Sequence, residues 1–264
     1  MYILSWSDLH RARTEKHGLE NMETNNLWPK DLAVIIPAWN EEASVGTIIQ
    51  ELMSGSQGTT YSVIVVDDAS QDRTSQIVRG TNAEVIRLAK HMGAWGATQT
   101  GLRYALHKGS KYMVTMDADG QHDPAYLGPL LQPVMERQAD VSIGSYPERG
   151  STGRHMSWHL FRRLSKLPVQ DLTSGLKAYN RRAASLLLNP HIHLLEYQDL
   201  GTLLYLRKNG MKIIEVPVLM KARQSGRSRI FYSWKSVIKY LVLSIILCVA
   251  KYPVDSKQKL DSSL

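Results

Sequence analysis

The chain has 264 residues, long for one average domain yet within the range of a single α/β domain with a core of ordinary size. With 43% hydrophobic and 21% charged residues it is neither a disordered chain nor, lacking any fixed-period repeat, a solenoid. A surplus of Lys and Arg (32) over Asp and Glu (24) leaves a formal charge of +8, which calls for an anionic partner such as a phosphate-bearing ligand, an anionic lipid surface or nucleic acid.

The single cysteine, Cys248, excludes an intrachain disulfide, gives no evidence of a cysteine-based metal site, and fits a reducing compartment. Residues 1–28 are polar and mixed in charge. Asp8, Glu15 and Glu20 interrupt any apolar run there, so this stretch reads as an accessory, partly disordered extension rather than a secretory signal or membrane span.

The first strand signal is Leu32 to Pro37, followed by Trp39-Asn40-Glu41-Glu42 and a helical pattern from Val45 to Met53. Asn40 or Ser44 is expected to cap that helix, with Glu41 and Glu42 at its positive end. A second unit repeats the plan: Tyr61 to Val66 is apolar, then come Asp67-Asp68-Ala-Ser-Gln-Asp72-Arg-Thr74 and a helix through Val78. The third strand, Glu84 to Leu88, leads through His91-Met92-Gly93-Ala-Trp95-Gly96 into a helix ending near His107, and the glycine pair there permits close approach of a ligand to the backbone.

The fourth apolar run, Tyr112 to Met116, ends in Asp117-Ala118-Asp119-Gly120-Gln121-His122-Asp123-Pro124. Taken alone, this is an acidic turn closed by proline. Strand–helix alternation, however, predicts a mainly parallel α/β sheet flanked by helices, whose ligands bind outside the carboxyl ends of the strands. Asp67, Asp68, Asp117 and Asp119 all fall at that edge. Their mutual repulsion requires a cation or donors, which points to a nucleotide–metal site.

These three motifs, in this order, resemble the inverting glycosyltransferase family 2 with its GT-A fold, and within it the branch of dolichol- and polyprenyl-phosphate sugar synthases. The likeness runs from about Leu32 to Arg229. It implies that Pro37, Asn40, Glu42, Asp67, Asp68 and Gly93 line the pocket of a nucleoside-diphosphate sugar. It implies further that Asp117, Asp119 and Gln121 hold Mg²⁺ or Mn²⁺ against the diphosphate. His91, where many relatives carry Asn, and the bulky Trp95 depart from the family pattern.

Past the metal stretch, Ala139 to Gly144 is another strand, followed by a basic helix with Arg154, His155, Arg162, Arg163 and Lys166, either an acceptor-phosphate surface or a solvated face. Asp171-Leu-Thr-Ser174-Gly175 resembles the family segment in which Asp171 and Ser174 shape the acceptor side. The alternative is a turn whose Asp and Ser cap a helix. Asp199 opens a helix, as the family's acidic pair does, and is the candidate base, with a helix-dipole carboxylate as its alternative role. Met211 to Val218 is the last strand. The loop after it has Arg223, Gly226, Ser228 and Arg229 where the family has similar residues, and it is either a lid that closes over the diphosphate or an exposed basic loop.

From Val237 to Ala250 the chain is almost wholly apolar, but as a helix it spans about 21 Å against about 30 Å of hydrocarbon. An in-plane anchor is expected there, with packing on the domain or on another subunit of a homo-oligomer as the alternative. The expected organisation is thus an extension (1–28), a GT-A domain (29–230) and an apolar helix with polar tail (231–264). The expected activity is metal-dependent sugar transfer, with inversion, to a polyprenyl phosphate or to a glycan hydroxyl, lipid-linked or soluble, at the cytoplasmic membrane face. A sugar-phosphate nucleotidyltransferase would need a Gly-rich, Lys-containing loop at the first strand, which is missing. A non-catalytic nucleotide-sugar binder is the remaining alternative. Nucleic acid is a poor partner, because the basic residues follow the expected phosphate loop and tail rather than an aromatic-studded groove.

Overall fold

Every residue from Leu32 to Ala38 except Pro37 is buried, which a strand achieves only when both faces of its sheet are covered. In the computed structural model, which describes residues 29–54, 61–146, 169–171, 174–192, 198–221 and 242, that strand is β1, an interior strand of a seven-stranded sheet. The other strands are β2 (Ser62–Asp67), β3 (Glu84–Arg87), β4 (Tyr112–Thr115), β5 (Val141–Ser145), β6 (Lys177–Asn180) and β7 (Ile213–Pro217), in the spatial order β3-β2-β1-β4-β6-β5-β7. All run parallel except β6, which is antiparallel to both β4 and β5.

The helices are α1 (Val45–Ser54), α2 (Thr74–Arg79), α3 (Gly93–His107), α4 (Leu127–Met135), α5 (Arg181–Leu186) and α6 (Gln198–Lys208). The period of two along β1 divides the core between the faces. Leu32, Val34 and Ile36 join Val45 and Ile49 of α1 and Leu127 and Leu131 of α4. Ala33 and Ile35 join Leu102 of α3, Ala183 of α5 and Leu203 of α6 on the other side.

Helix α3 lies on the sheet closely enough that one position tolerates no side chain. A Cβ at Gly101 would sit 2.3 Å from Ile35 Cγ2 and 3.2 Å from Val66 Cγ2, both in central strands. Gly101→Ala is therefore expected to cost about 1–2 kcal/mol despite the better helix propensity of alanine, lowering Tm by about 2–8 °C in a thermal melt.

Strand β6 departs from the sequence reading. The Thr-Ser-Gly run leads into a strand, and the helix after it, α5, is capped by Asn180, whose Oδ1 accepts from Ala183 N at 2.8 Å. The expected caps of α1 also serve elsewhere. Asn40 Oδ1 accepts from Gln71 N at 2.8 Å, and Ser44 Oγ donates to Ala118 O at 2.6 Å. The extension (1–28), the basic segment (154–166), Arg223, Ser228, Arg229 and all of the apolar tail but Val242 lie outside the described residues. Among the described residues, no helix is long and apolar enough to cross a membrane.

Candidate active site

The loops that leave β1 and β2 are tied together by their backbones. Asn40 N donates to Ser70 Oγ at 2.9 Å, Glu41 N to Thr74 Oγ1 at 2.9 Å and Glu42 N to Asp72 Oδ2 at 3.1 Å. In return Glu42 Oε2 accepts from Arg73 N at 3.1 Å and pairs with Arg73 Nε at 3.3 Å. Asn40 and Ala69 adopt positive φ (54° and 58°), a conformation asparagine tolerates well. Burial pushes the Asp72 carboxyl up, but donors from the Thr74 hydroxyl, the Thr74 amide and the Glu42 amide outweigh it and hold the group below its ordinary value. Asn40 and Glu42 thus fix the shape of these two loops.

The two carboxylates that end β2 have different environments. Asp67 is fully buried: its Oδ1 accepts from Ser70 N at 2.9 Å, its Oδ2 accepts from Ser75 Oγ, and Arg87 Nη1 lies 3.3 Å away. Asp67→Ala strands these donors, and a loss of about 2–4 kcal/mol is expected, seen as a Tm lower by about 5–15 °C. Arg87→Ala, on the half-exposed side of the pair, should cost under about 1 kcal/mol in the same assay.

Asp68 is turned toward the other loops. Its amide donates to Ala38 O at 2.8 Å, and its Oδ1 accepts from Met92 N at 2.6 Å, so the loops after β1, β2 and β3 meet at this residue. Gly93 adopts φ +80°, and a Cβ there would meet none of the described residues within 4 Å, so its requirement is the left-handed backbone conformation. Trp95 packs inward, its indole Nε1 donating to Ile192 O at 3.2 Å.

The loop after β4 carries the acidic pair. Asp117, its side chain 44% exposed, has Oδ2 at 3.4 Å from His122 Nε2. His122 itself is buried, and its other ring nitrogen, Nδ1, has no hydrogen-bond partner among the described residues. Gly175 also closes on the Asp117 carboxylate, since a Cβ there would fall 2.1 Å from Oδ2 and 2.3 Å from Cγ and Oδ1. The antiparallel register of β4 and β6, Thr115 opposite Lys177, brings these residues together when carried two positions past the strand ends. Asp119 is 8% exposed, with Oδ1 accepting from Gln121 N at 3.1 Å. Gln121 O accepts from Lys221 N at 2.8 Å, and His122 bridges to Met220, so the acidic loop is fastened to the segment leaving β7.

A narrow cleft beneath Asp117 is lined by Trp95, Thr98, Gly175, Lys177 and Thr202. A broader, shallow groove lined by Lys30, Asp31 and Lys108 lies at the amino end of the strands, away from the carboxylates. Asp171 is fully buried, its Oδ2 3.4 Å from Tyr146 N, while its amide donates to Glu215 Oε1 at 2.8 Å. Burial, with the nearby Asp171 charge adding to it, raises the Glu215 carboxyl against the pull of those amide donors. Asp199 lies in the first turn of α6, and its side chain falls outside the described set.

Among the described residues no three His, Cys, Asp or Glu side chains converge into a ready-made metal cage. The donors that are present suit a metal bound jointly with its ligand. Mg²⁺ or Mn²⁺ takes one or two carboxylates and completes its shell with phosphate and water, and the partly exposed Asp117, held from behind by His122, fits that arrangement.

A family profile described as glycosyl transferase family 2 matches residues 33–191. The chain belongs to glycosyltransferase family 2. It is 30% identical over 216 residues to an undecaprenyl-phosphate mannosyltransferase of Micrococcus luteus, covering 74% of this chain and 85% of that one. It is 27% identical over 219 residues to a UDP-N-acetylglucosamine–dolichyl-phosphate N-acetylglucosaminyltransferase of Methanococcus voltae (72% and 85%). In fold, this glycosyltransferase is similar to glucosyl-3-phosphoglycerate synthase from Mycobacterium tuberculosis in complex with Mn²⁺, uridine diphosphate and phosphoglyceric acid. That comparison has a TM-score of 0.62 at 18% identity and covers 96% of this chain and 85% of the other. Its GT-A architecture is thereby established.

Three contributors to the site escaped the sequence reading. These are His122 behind Asp117, Gly175 against it, and Lys177 lining the cleft. The first two stand inside motifs that were read, so their signal was position next to a functional acid rather than residue type. Lys177, in a short polar strand, gave none.

Proposed function

We propose that this glycosyltransferase moves a sugar, with inversion, from a nucleoside-diphosphate sugar to a polyprenyl phosphate at the cytoplasmic face of a membrane. The observation that carries the reading is the setting of Asp117, a half-exposed carboxylate held between His122 and Gly175 at the strand-end edge, beside Asp119. Asp117, Asp119 and Gln121 would hold Mg²⁺ or Mn²⁺, and the ion would neutralise charge growing on the departing diphosphate. Asp68 and the stitched loops after β1 and β2 would seat the nucleoside.

The acceptor follows from proton bookkeeping and from the relatives. A phosphate monoester is ionised at neutral pH and attacks without a base, whereas a hydroxyl acceptor needs a carboxylate such as Asp199 to take its proton. Both named relatives act on polyprenyl phosphates, which favours the first case. Asp171 and Ser174, both fully buried, then act by shaping the turn that presents Gly175 rather than by touching the acceptor. The Arg223–Arg229 loop would add positive charge over the diphosphate. The surplus of basic residues and the apolar tail suit an anionic lipid surface.

The test is a screen of UDP- and GDP-sugars with Mn²⁺ and undecaprenyl or dolichyl phosphate, read by mass spectrometry of the lipid extract. A glycosylated polyprenyl phosphate is expected. Transfer that occurs only to a hydroxyl acceptor would reassign the acceptor, and no turnover of any donor would sink the enzymatic reading.

A further inference from the structure

Three loops meet where Trp39, Asp68 and His91 stand, one residue from each of the loops that follow β1, β2 and β3. The imidazole of His91 lies over the indole of Trp39, with ring centroids 4.2 Å apart and planes 30° from parallel. Its Nδ1 lies 2.8 Å from Asp68 Oδ2 and 3.4 Å from the Asp68 carbonyl oxygen. Asp68 itself is 2% exposed.

The contact between ring and carboxylate is close but badly directed. Although Nδ1 is within ion-pair distance, Asp68 Oδ2 is buried and, among the described residues, has no hydrogen bond of acceptable geometry. The other oxygen, Oδ1, is committed to the Met92 amide. A buried carboxylate oxygen with a misaligned partner is a costly arrangement, and a better-directed donor would relieve it. His91, by contrast, is half-exposed and can leave without opening the core.

A flat ring stacked on an aromatic face, presenting one ring nitrogen to a buried carboxylate oxygen, is what a nucleobase with a ring N–H would offer. We propose that His91 occupies the base subsite of the ligand-free protein and is displaced when the donor nucleotide binds, its base taking over both the Trp39 face and Asp68 Oδ2. The inference rests on the nucleoside-diphosphate donor reading and adds to it a named competitor inside the site. A ring N–H is carried by uracil at N3 and by guanine at N1, so UDP and GDP are the ligands of the right chemistry. Because the closed form is the resting form, affinity for the nucleotide is lowered by the fraction of molecules whose subsite is open.

The experiment measures binding of UDP and of GDP to the full chain with Mn²⁺ by calorimetry, in the native protein and in His91→Ala and Trp39→Ala. With His91→Ala, severalfold tighter binding of the preferred nucleotide is expected. With Trp39→Ala, binding should weaken about tenfold, because one base-stacking face is lost. A second readout follows the ring directly. The His91 ring protons should carry an upfield ring-current shift from Trp39 in the free protein and lose it on saturation with nucleotide. Unchanged or weaker binding by His91→Ala, or a ring-current shift that persists at saturation, overturns the displacement while leaving the donor reading in place. Failure of all three proteins to bind either nucleotide overturns both.

Discussion

Replacing Gly175 with alanine is expected to cut sugar transfer at least about a hundredfold while leaving the protein folded. The added Cβ would stand 2.1 Å from Asp117 Oδ2 and within 2.3 Å of both Cγ and Oδ1. The clash falls on the whole carboxylate, so the side chain cannot keep its present position. Either Asp117 rotates off His122 or the start of β6 moves away from β4, and a displacement of about 1 Å at a reacting centre is enough for a loss of this size. Fold stability should change less, because Asp117 is half-exposed and can turn toward solvent. The measurements are the initial rate as a function of Mn²⁺ concentration, in which half-activation moves to higher metal, and a thermal melt. A variant with native rates and native metal response would show that the close packing of Gly175 on Asp117 has no part in the chemistry.

The second large effect is expected at Asp119. Asp119→Ala removes a carboxylate proposed to hold the metal and also the acceptor of the Gln121 amide, so turnover should fall below detection with or without added metal. Asp119→Asn separates the two roles. Its side-chain oxygen can still accept from Gln121 N, keeping the turn, but it has lost the charge that a divalent cation requires, and a fall of about a hundredfold is expected. Excess Mn²⁺ should restore part of the Asn variant's activity and none of the Ala variant's. Full activity of Asp119→Asn without extra metal would remove this residue from the metal site.

The parts of the fold that were legible were those in which local chemistry and tertiary role agree. Leu32–Ala38 and Ser62–Asp67 are apolar runs ended by turn residues, and both became buried parallel strands with their acids at the carboxyl edge. Strand β6 was not legible because Lys177-Ala-Tyr-Asn180 is four residues long, half of them polar, and takes its identity from partners 66 and 38 positions away, as in the pairings of Met113 and Val141 with Tyr179. The division of labour between Asp67 and Asp68 was hidden for a related reason. Adjacent residues at a strand end face opposite ways, and only the positions of Ser75, Arg87 and Met92 show which carboxylate is buried for the fold and which is left facing the other loops. His122 and Gly175 were visible as letters in known motifs, but their joint grip on Asp117 depends on a register between β4 and β6 that neither segment encodes alone.

The reversal of β6 has a topological effect on how much chain this edge can recruit. In a wholly parallel sheet, the ligand edge receives only the segments that follow strands, and the segments preceding strands are left at the far end. Because β6 runs backward, its entry rather than its exit arrives beside Asp117, so Gly175 shares a rim with the loops leaving β1, β2, β3 and β4. One inverted strand thus enlarges the contributing perimeter without lengthening any loop, and lets residues some sixty positions apart in the sequence form opposing walls of one slot.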